Sequence, residues 1–366
     1  FNSAFCFGMH TIIPKSNSMK NLLFCILLSV GLYSCASTEL VRLSVLEPAP
    51  VTLPAHIKNV AVINRSEVVQ QNKVVDVVDK VFSLEGKDLD KEGALASMAG
   101  LENELLKNNR FTAIKTIDDA GITSPVPGIF PAPLTWDVVE KICRKNNADA
   151  LFALELFDTD SKISYVANPV TLNTPLGKVP AIEHRATMLT TVKAGWRIYD
   201  PVERNILDEF PVAGKMIFTG KGINPVKAAG ALIGRKEALK QVSNKAGQDY
   251  AFRIIPYWLR VSRDYYVRGT DNFRTARRKA QTGNWDDAAA IWEKETTSDK
   301  SKVAGRACYN MAIINEINGN LDGAIQWAQK AYEDYNNKLA LRYVKILENR
   351  KVNNAILEDQ EAISAR

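Results

Sequence analysis

Cysteine and histidine are scarce in this chain of 366 residues: Cys6, Cys25, Cys35, Cys143 and Cys308, and three histidines of which His56 and His184 fall in the body of the sequence. No two histidines have ligand spacing, so a histidine-based zinc site is excluded and no metal is expected. The signatures of nucleophilic hydrolases, P-loop NTPases and zinc proteases are absent too. Gly220-Lys221-Gly222 lacks the upstream glycine and the following hydroxyl of a P-loop, and Asp158-Thr159-Asp160 lacks the glycine and distal glutamate of a calcium loop. Long charge runs are missing: the formal net charge is +6 and the densest cluster is Arg277-Arg278-Lys279. Such a cluster is a solvated helix face and excludes a nucleic-acid footprint. We expect no catalytic residues, no cofactor and no nucleic-acid partner.

What is present begins with Met19-Lys20 and the eleven mostly apolar residues Leu22–Leu32, followed by Tyr33-Ser34-Cys35. A helix needs roughly 20 apolar residues to span a bilayer, so this stretch reads as an export signal. Residues 19–35 resemble a bacterial lipoprotein signal peptide whose lipobox ends at Cys35, although Tyr33 is bulkier than that family usually shows. An ordinary secretory signal is the alternative. The resemblance implies lipidation of Cys35, and Ala36 after it implies the outer membrane, facing the periplasm. Met19 reads as the initiator.

Beyond Cys35 the chain is long enough for two domains of about 100–200 residues each. Residues 36–56, with Pro48, Pro50 and Pro54, read as a tether. Residues 57–265 read as an α/β domain. Val60–Ile63 is a short buried strand, and Asn64-Arg65-Ser66 replaces the glycine-rich turn that a dinucleotide site needs. Ala94, Leu95, Met98, Leu101 and Leu105 keep helical spacing, Phe111–Ile117 is a second strand, and a loop with Pro125, Pro127, Pro131 and Pro133 follows. A helix starts at Thr135, its expected N-cap. Ala150–Phe157 is almost wholly apolar, as a central strand is. Residues 161–180 are turn-rich, a hairpin or excursion. Ala186 to Ile198 alternates like a half-buried strand, Asp200-Pro201 turns it, and Asn205–Phe210 returns antiparallel. A helix is expected over 226–255, with Gly230 and Gly234 allowing close packing on the sheet.

This order resembles the small α/β domain of curli-secretion-type lipoproteins, penicillin-binding-protein activator lipoproteins and the Tol periplasmic protein. Such domains bind proteins. The chain also resembles an uncharacterised Bacteroidota-type lipoprotein family through the stretch Arg253 to Tyr266. Within residues 266–350, Gly283-Asn284-Trp285-Asp286-Asp287-Ala288 and Gly319-Asn320-Leu321-Asp322-Gly323-Ala324 align 36 residues apart, and Ala276 and Ala312 stand twelve before each final alanine. This is similar to the tetratricopeptide repeat, whose period is about 34 residues. The resemblance implies two helical hairpins, a capping helix over 338–350 and a concave partner-binding surface at Phe273, Arg277, Arg306, Tyr309, Ile313 and Glu316. Residues 351–366 read as a polar tail.

The expected fold class is therefore α+β, a small mixed sheet domain followed by an all-α repeat module. The expected function is a lipid-anchored, non-catalytic interaction or assembly module for an envelope protein or peptide. Self-association as an oligomeric secretion component is the alternative, and a carboxylate hydrolase using acids between Asp158 and Asp208 a lesser one. Cys143 and Cys308 are either bridged or buried thiols.

Overall fold

The computed structural model describes residues 37–66, 77–117, 121–124, 129–175 and 177–365, with side chains of the first helix described from Leu89 onward. The export signal and Cys35 lie outside the described residues, as do Pro125 and Pro127. The fold is α+β, with its strands concentrated in the N-terminal half and its helices in the C-terminal half. Two compact units make it up: residues to Leu43 with Arg260–Asn349, and Ser44–Leu259 with Arg350–Arg366.

The larger unit is built on a five-stranded sheet of order β3-β2-β4-β5-β6. Its strands are β2 (Asn59–Asn64), β3 (Ala113–Ile117), β4 (Ala150–Thr174), β5 (Gly177–Asp200) and β6 (Asn205–Gly222). β2 is parallel to β3 and β4, while β4, β5 and β6 form an antiparallel meander. The apolar run Ala150–Phe157 does lie centrally, because both its faces are covered. On one face, α1 (Val77–Leu105) and α4 (Arg235–Ala251) bury Met98, Leu101, Val242 and Tyr250 against Phe152, Leu154 and Trp196. On the other, α2 (Trp136–Asn146) buries Val139 and Cys143 against Leu151, Ala153 and Tyr199. Thr135 is the N-cap of α2, but its hydroxyl makes no capping bond.

Glycines placed by the sequence at a helix-to-sheet contact turn out elsewhere. A Cβ on Gly230 or Gly234 would meet nothing within 4 Å, and the expected helix over 226–255 is broken into α3 (Pro225–Gly230) and α4. The close approaches are instead at Gly220 and Gly222 of β6, where a Cβ would stand 2.3 Å from Ala228 O and 2.4 Å from Ala228 N. α1 and α4 likewise cross at Gly100 and Gly247, with Ser97 O 1.8 Å from the position of a Gly247 Cβ.

The tether and tail expected from the sequence are both structured. Residues 36–56 contain β1 (Thr38–Glu47), paired with β7 (Tyr257–Tyr266). Val41, Leu43 and Val45 alternate as a strand requires, and the prolines fall after its end. Residues 351–364 continue α9 (Lys338–Ser364), burying Leu357 and Gln360.

The smaller unit contains two helical hairpins, α5 (Asp271–Gln281) with α6 (Trp285–Glu295) and α7 (Ser301–Ile317) with α8 (Leu321–Glu333). Ala276, Ala288, Ala312 and Ala324 are fully buried, so the paired helices approach where the spacing placed small residues. Gly283 and Gly319 take φ of +84° and +77° at the two turns, a region that favours glycine.

Candidate functional site

The six residues expected to form a partner surface lie on α5 and α7, and the chain itself covers four of them. Phe273, Tyr309, Ile313 and Glu316 are buried in the core of the unit. Asn310, also fully buried, accepts from Tyr266 N and donates to Tyr266 O, both at 2.7 Å, gripping the backbone of β7 at two points. Arg263 donates twice to Glu316 at 2.9 Å, and Tyr343 donates to the same carboxylate. Tyr265 sets its ring edge-on to Trp285 and Trp292, with centroids 5.5 and 5.9 Å away. Arg277 and Arg306 are at the rim. Arg277 pairs with Glu39, while Arg306 donates to Arg268 O at 2.6 Å and lies over the Tyr266 ring. The expected open surface is thus filled by residues 263–268, whose aromatic and backbone groups satisfy it. Sequence spacing missed Asn310 and β7, because a strand bound in cis leaves no mark on helical periodicity.

Asp208 is held by Tyr250 Oη at 3.0 Å and by two bonds from Arg253, and Asp158 is exposed on β4. A cleft of about 710 Å³ lies between Leu53, Arg110, Phe252, Trp258 and Ile363, and contains neither carboxylate. Among the described residues, no three His, Cys, Asp or Glu side chains converge as a metal set. Cys143 and Cys308 are free and buried, and burial pushes their thiols up to about 12 and about 11.

Glu155 on the central strand is fully buried. Glu155 continues the alternation of Leu151 and Ala153 onto the α2 face, next to a β-bulge between Leu154 and Leu156, and its carboxylate accepts from Arg65 at 2.7 Å, Arg197 at 3.2 Å and Tyr199 Oη at 2.6 Å. Burial, with the Glu155 carboxylate beside it, pushes the Tyr199 hydroxyl up to about 12, so it stays protonated and donates. Arg65 and Arg197 also donate to Ala132 O and Pro131 O, which pins that loop to the sheet.

What remains without a covering partner is the outer half of the β4–β5 hairpin. β4 pairs with β2 only through Leu154, and β5 pairs with β6 only as far as His184 opposite Gly222. Beyond that point the described chain is a two-stranded ribbon, Asn168 to Thr174 against Gly177 to Glu183. Residues opposite one another in an antiparallel pair share a face. Ile163, Tyr165 and Ile182 therefore lie on the face that bears α1 and α4, and Val166, Leu172 and Val179 on the other. All six are between 46 % and 60 % exposed. Residues 163–182 carry one charge, Lys178, in a chain that is 24 % charged. A polar collar marks the base: Glu183 accepts from Arg185 at 3.0 Å and Lys221 at 3.1 Å, and these two cations hold its carboxyl below the usual range. The α3 helix, capped by Asn224 on Lys227 N, packs on β5 and β6 just short of the free ribbon.

A family model described as Domain of unknown function (DUF8603) matches residues 57–266, and a second, Domain of unknown function (DUF6340), matches residues 274–349. No curated protein matches the chain. Among solved structures, a neuraminyllactose-binding hemagglutinin homolog from Helicobacter pylori is similar at 13 % identity, over 55 % of this chain and 84 % of that one, with a TM-score of 0.22. The PelC dodecamer from Paraburkholderia phytofirmans is similar at 10 % identity, over 58 % and 99 %, with a TM-score of 0.23. Likenesses at such TM-scores carry no argument about function.

Proposed function

This chain belongs to the DUF8603 family, and on that premise we propose that it is a non-catalytic, lipid-anchored envelope protein that serves as an interaction or assembly module. The observation that carries the reading is the stretch 163–182, with exposed apolar side chains on both faces and almost no charge, whose outer part, Asn168–Thr174 against Gly177–Glu183, has no third strand on either edge among the described residues. Monomeric soluble proteins seldom leave such a surface uncovered. The anchor rests on the lipobox resemblance at Cys35, and Ala36 favours the outer membrane with the domains facing the periplasm. The helical hairpins are read as tetratricopeptide-like, with their inner face already occupied by β7, so the surface offered to partners is the ribbon and not that face. The open edges also suit the second reading, an oligomeric envelope component.

Crosslinking pull-downs from intact envelopes test this with the tagged full chain, an L172E/V179E/I182E variant and an R306E/Y309A variant. A crosslinked species lost in the ribbon variant and kept in the other supports the reading. Identical crosslinks in the wild type and the ribbon variant would sink it.

A further inference from the structure

Ile223 and Val226 are the most exposed large apolar side chains among the described residues, at 83 % and 78 %, and they stand where β6 turns into α3. The turn is closed tightly. Asn224 accepts from Lys227 N at 2.8 Å, Pro225 opens α3, and a Cβ on Gly222 would stand 2.4 Å from Ala228 N. The backbone thus holds both side chains outward, and ordering them on a partner costs little. Charge around them is of one sign. Residues 211–236 carry Lys215, Lys221, Lys227, Arg235 and Lys236 and no acidic residue, in a chain with 47 Lys and Arg against 41 Asp and Glu. Lys221 pairs with Glu183 and Lys236 with Glu92, while Lys215 and Lys227 make no ion pair among the described residues. Lys215, Ile217 and Lys221 share one face of β6, and Ile217 is itself 67 % exposed.

We propose that this corner of the larger unit, the turn Lys221–Lys227 with the outer end of β6, is a contact for an anionic lipid surface. The inference goes beyond the reading of residues 163–182 as a protein-docking surface. Two observations select lipid. Ile223 and Val226 make a narrow apolar projection, far short of the roughly 1,200 Å² that a stable protein interface buries. A fluid interface closes round such a projection and takes its apolar atoms to the boundary of the acyl chains. Lys221 and Lys227, on either side in sequence, then lie at the level of the phosphates, where each cation gains attraction from anionic headgroups. The backbone of the turn stays in the hydrated headgroup zone, so none of its N–H or C=O groups enters hydrocarbon unpaired.

Ile223→Cys and Val226→Cys, each carrying an environment-sensitive dye in the chain purified from envelopes, read the contact directly. Val202→Cys, at an exposed apolar position beyond the other end of the β5–β6 pair, is the control. Cys143 and Cys308 are buried and stay unlabelled. Vesicles of phosphatidylglycerol and phosphatidylethanolamine should shift the dyes at 223 and 226 to the blue and protect them from iodide, with the dye at 202 unaffected, and phosphatidylcholine vesicles should do neither. K215E/K227E should lower the ratio of docked to undocked dye at least about tenfold with circular dichroism unchanged, and added salt should act in the same direction. A lipid anchor alone would hold the chain to both kinds of vesicle and leave all three positions open to iodide, so the anchor and this contact fail separately. Equal quenching at the three positions in anionic vesicles overturns the proposal. So does protection that is as strong in phosphatidylcholine, or that needs an added envelope protein.

Discussion

Asn310 and Glu155 show how one buried polar side chain can fix a segment distant in sequence. Asn310 satisfies both the N–H and the C=O of Tyr266, so Asn310→Ala leaves two buried backbone groups unpaired. Each such group costs about 1–3 kcal/mol, and the variant should lose roughly 2–6 kcal/mol in urea unfolding of the full chain. Glu155 is the shared counter-charge of Arg65 and Arg197, both at least nine-tenths buried. Glu155→Ala removes the carboxylate partner of Arg65 and leaves Arg197 with Glu209 alone, and removing one partner of a buried pair costs about 3–5 kcal/mol, read as a lower urea midpoint. Neither role was legible in the sequence. Asn310 sits in a helix with ordinary periodicity, and Glu155 interrupts an apolar run in which a bulge is invisible.

At the scale of elements, close approaches and anchoring bonds set the geometry. A Gly247→Ala substitution would drive a methyl into Ser97 O where α1 crosses α4, and overpacking of that kind costs about 1–3 kcal/mol, measurable as a drop in Tm. β1 is held in its unit by Glu39, which accepts from Tyr265 at 2.9 Å and Gln281 at 3.1 Å and pairs with Arg277. Burial opposes the charged carboxylate, but these donors and the nearby Arg277 charge outweigh it, so the folded carboxyl titrates below its ordinary value of 4.5. The stabilisation is then complete above pH 4.5 and lost as the pH falls through the folded value. Amide-exchange protection at residues 38–42, relative to the intrinsic rate at each pH, should fall in acid, and Glu39→Gln should flatten that dependence. Helix and strand positions were largely legible from periodicity. Strand lengths were not: β4 and β5 extend well past their apolar segments, because a hairpin continues on main-chain bonds where side-chain alternation fades.

Across the whole molecule, the end of the chain closes the start of the larger unit. Gln360 donates to Ala49 O and Thr52 Oγ1 and accepts from Ala49 N, and Lys58 Nζ donates to Ser364 O. Truncation after Asn349 therefore should leave residues 44–58 open to protease, read as new cleavage there while residues 150–200 stay protected. A sequence separation of 311 hides this from any local pattern, which is why residues 351–366 looked like a free polar tail.

By itself the sequence determined the α+β class, the helical hairpins through alanines at fixed spacing, and the charge-poor stretch 163–182. Those depend on composition and on short periods, which local residues fix. Only the tertiary structure decided that Asn310 of the hairpins grips β7, that Glu155 is a shared counter-charge, and that residues 168–174 and 177–183 form a ribbon with no third strand among the described residues. Each depends on which distant groups meet and which are left without a partner, and that is settled by packing and by the pairing of buried polar groups.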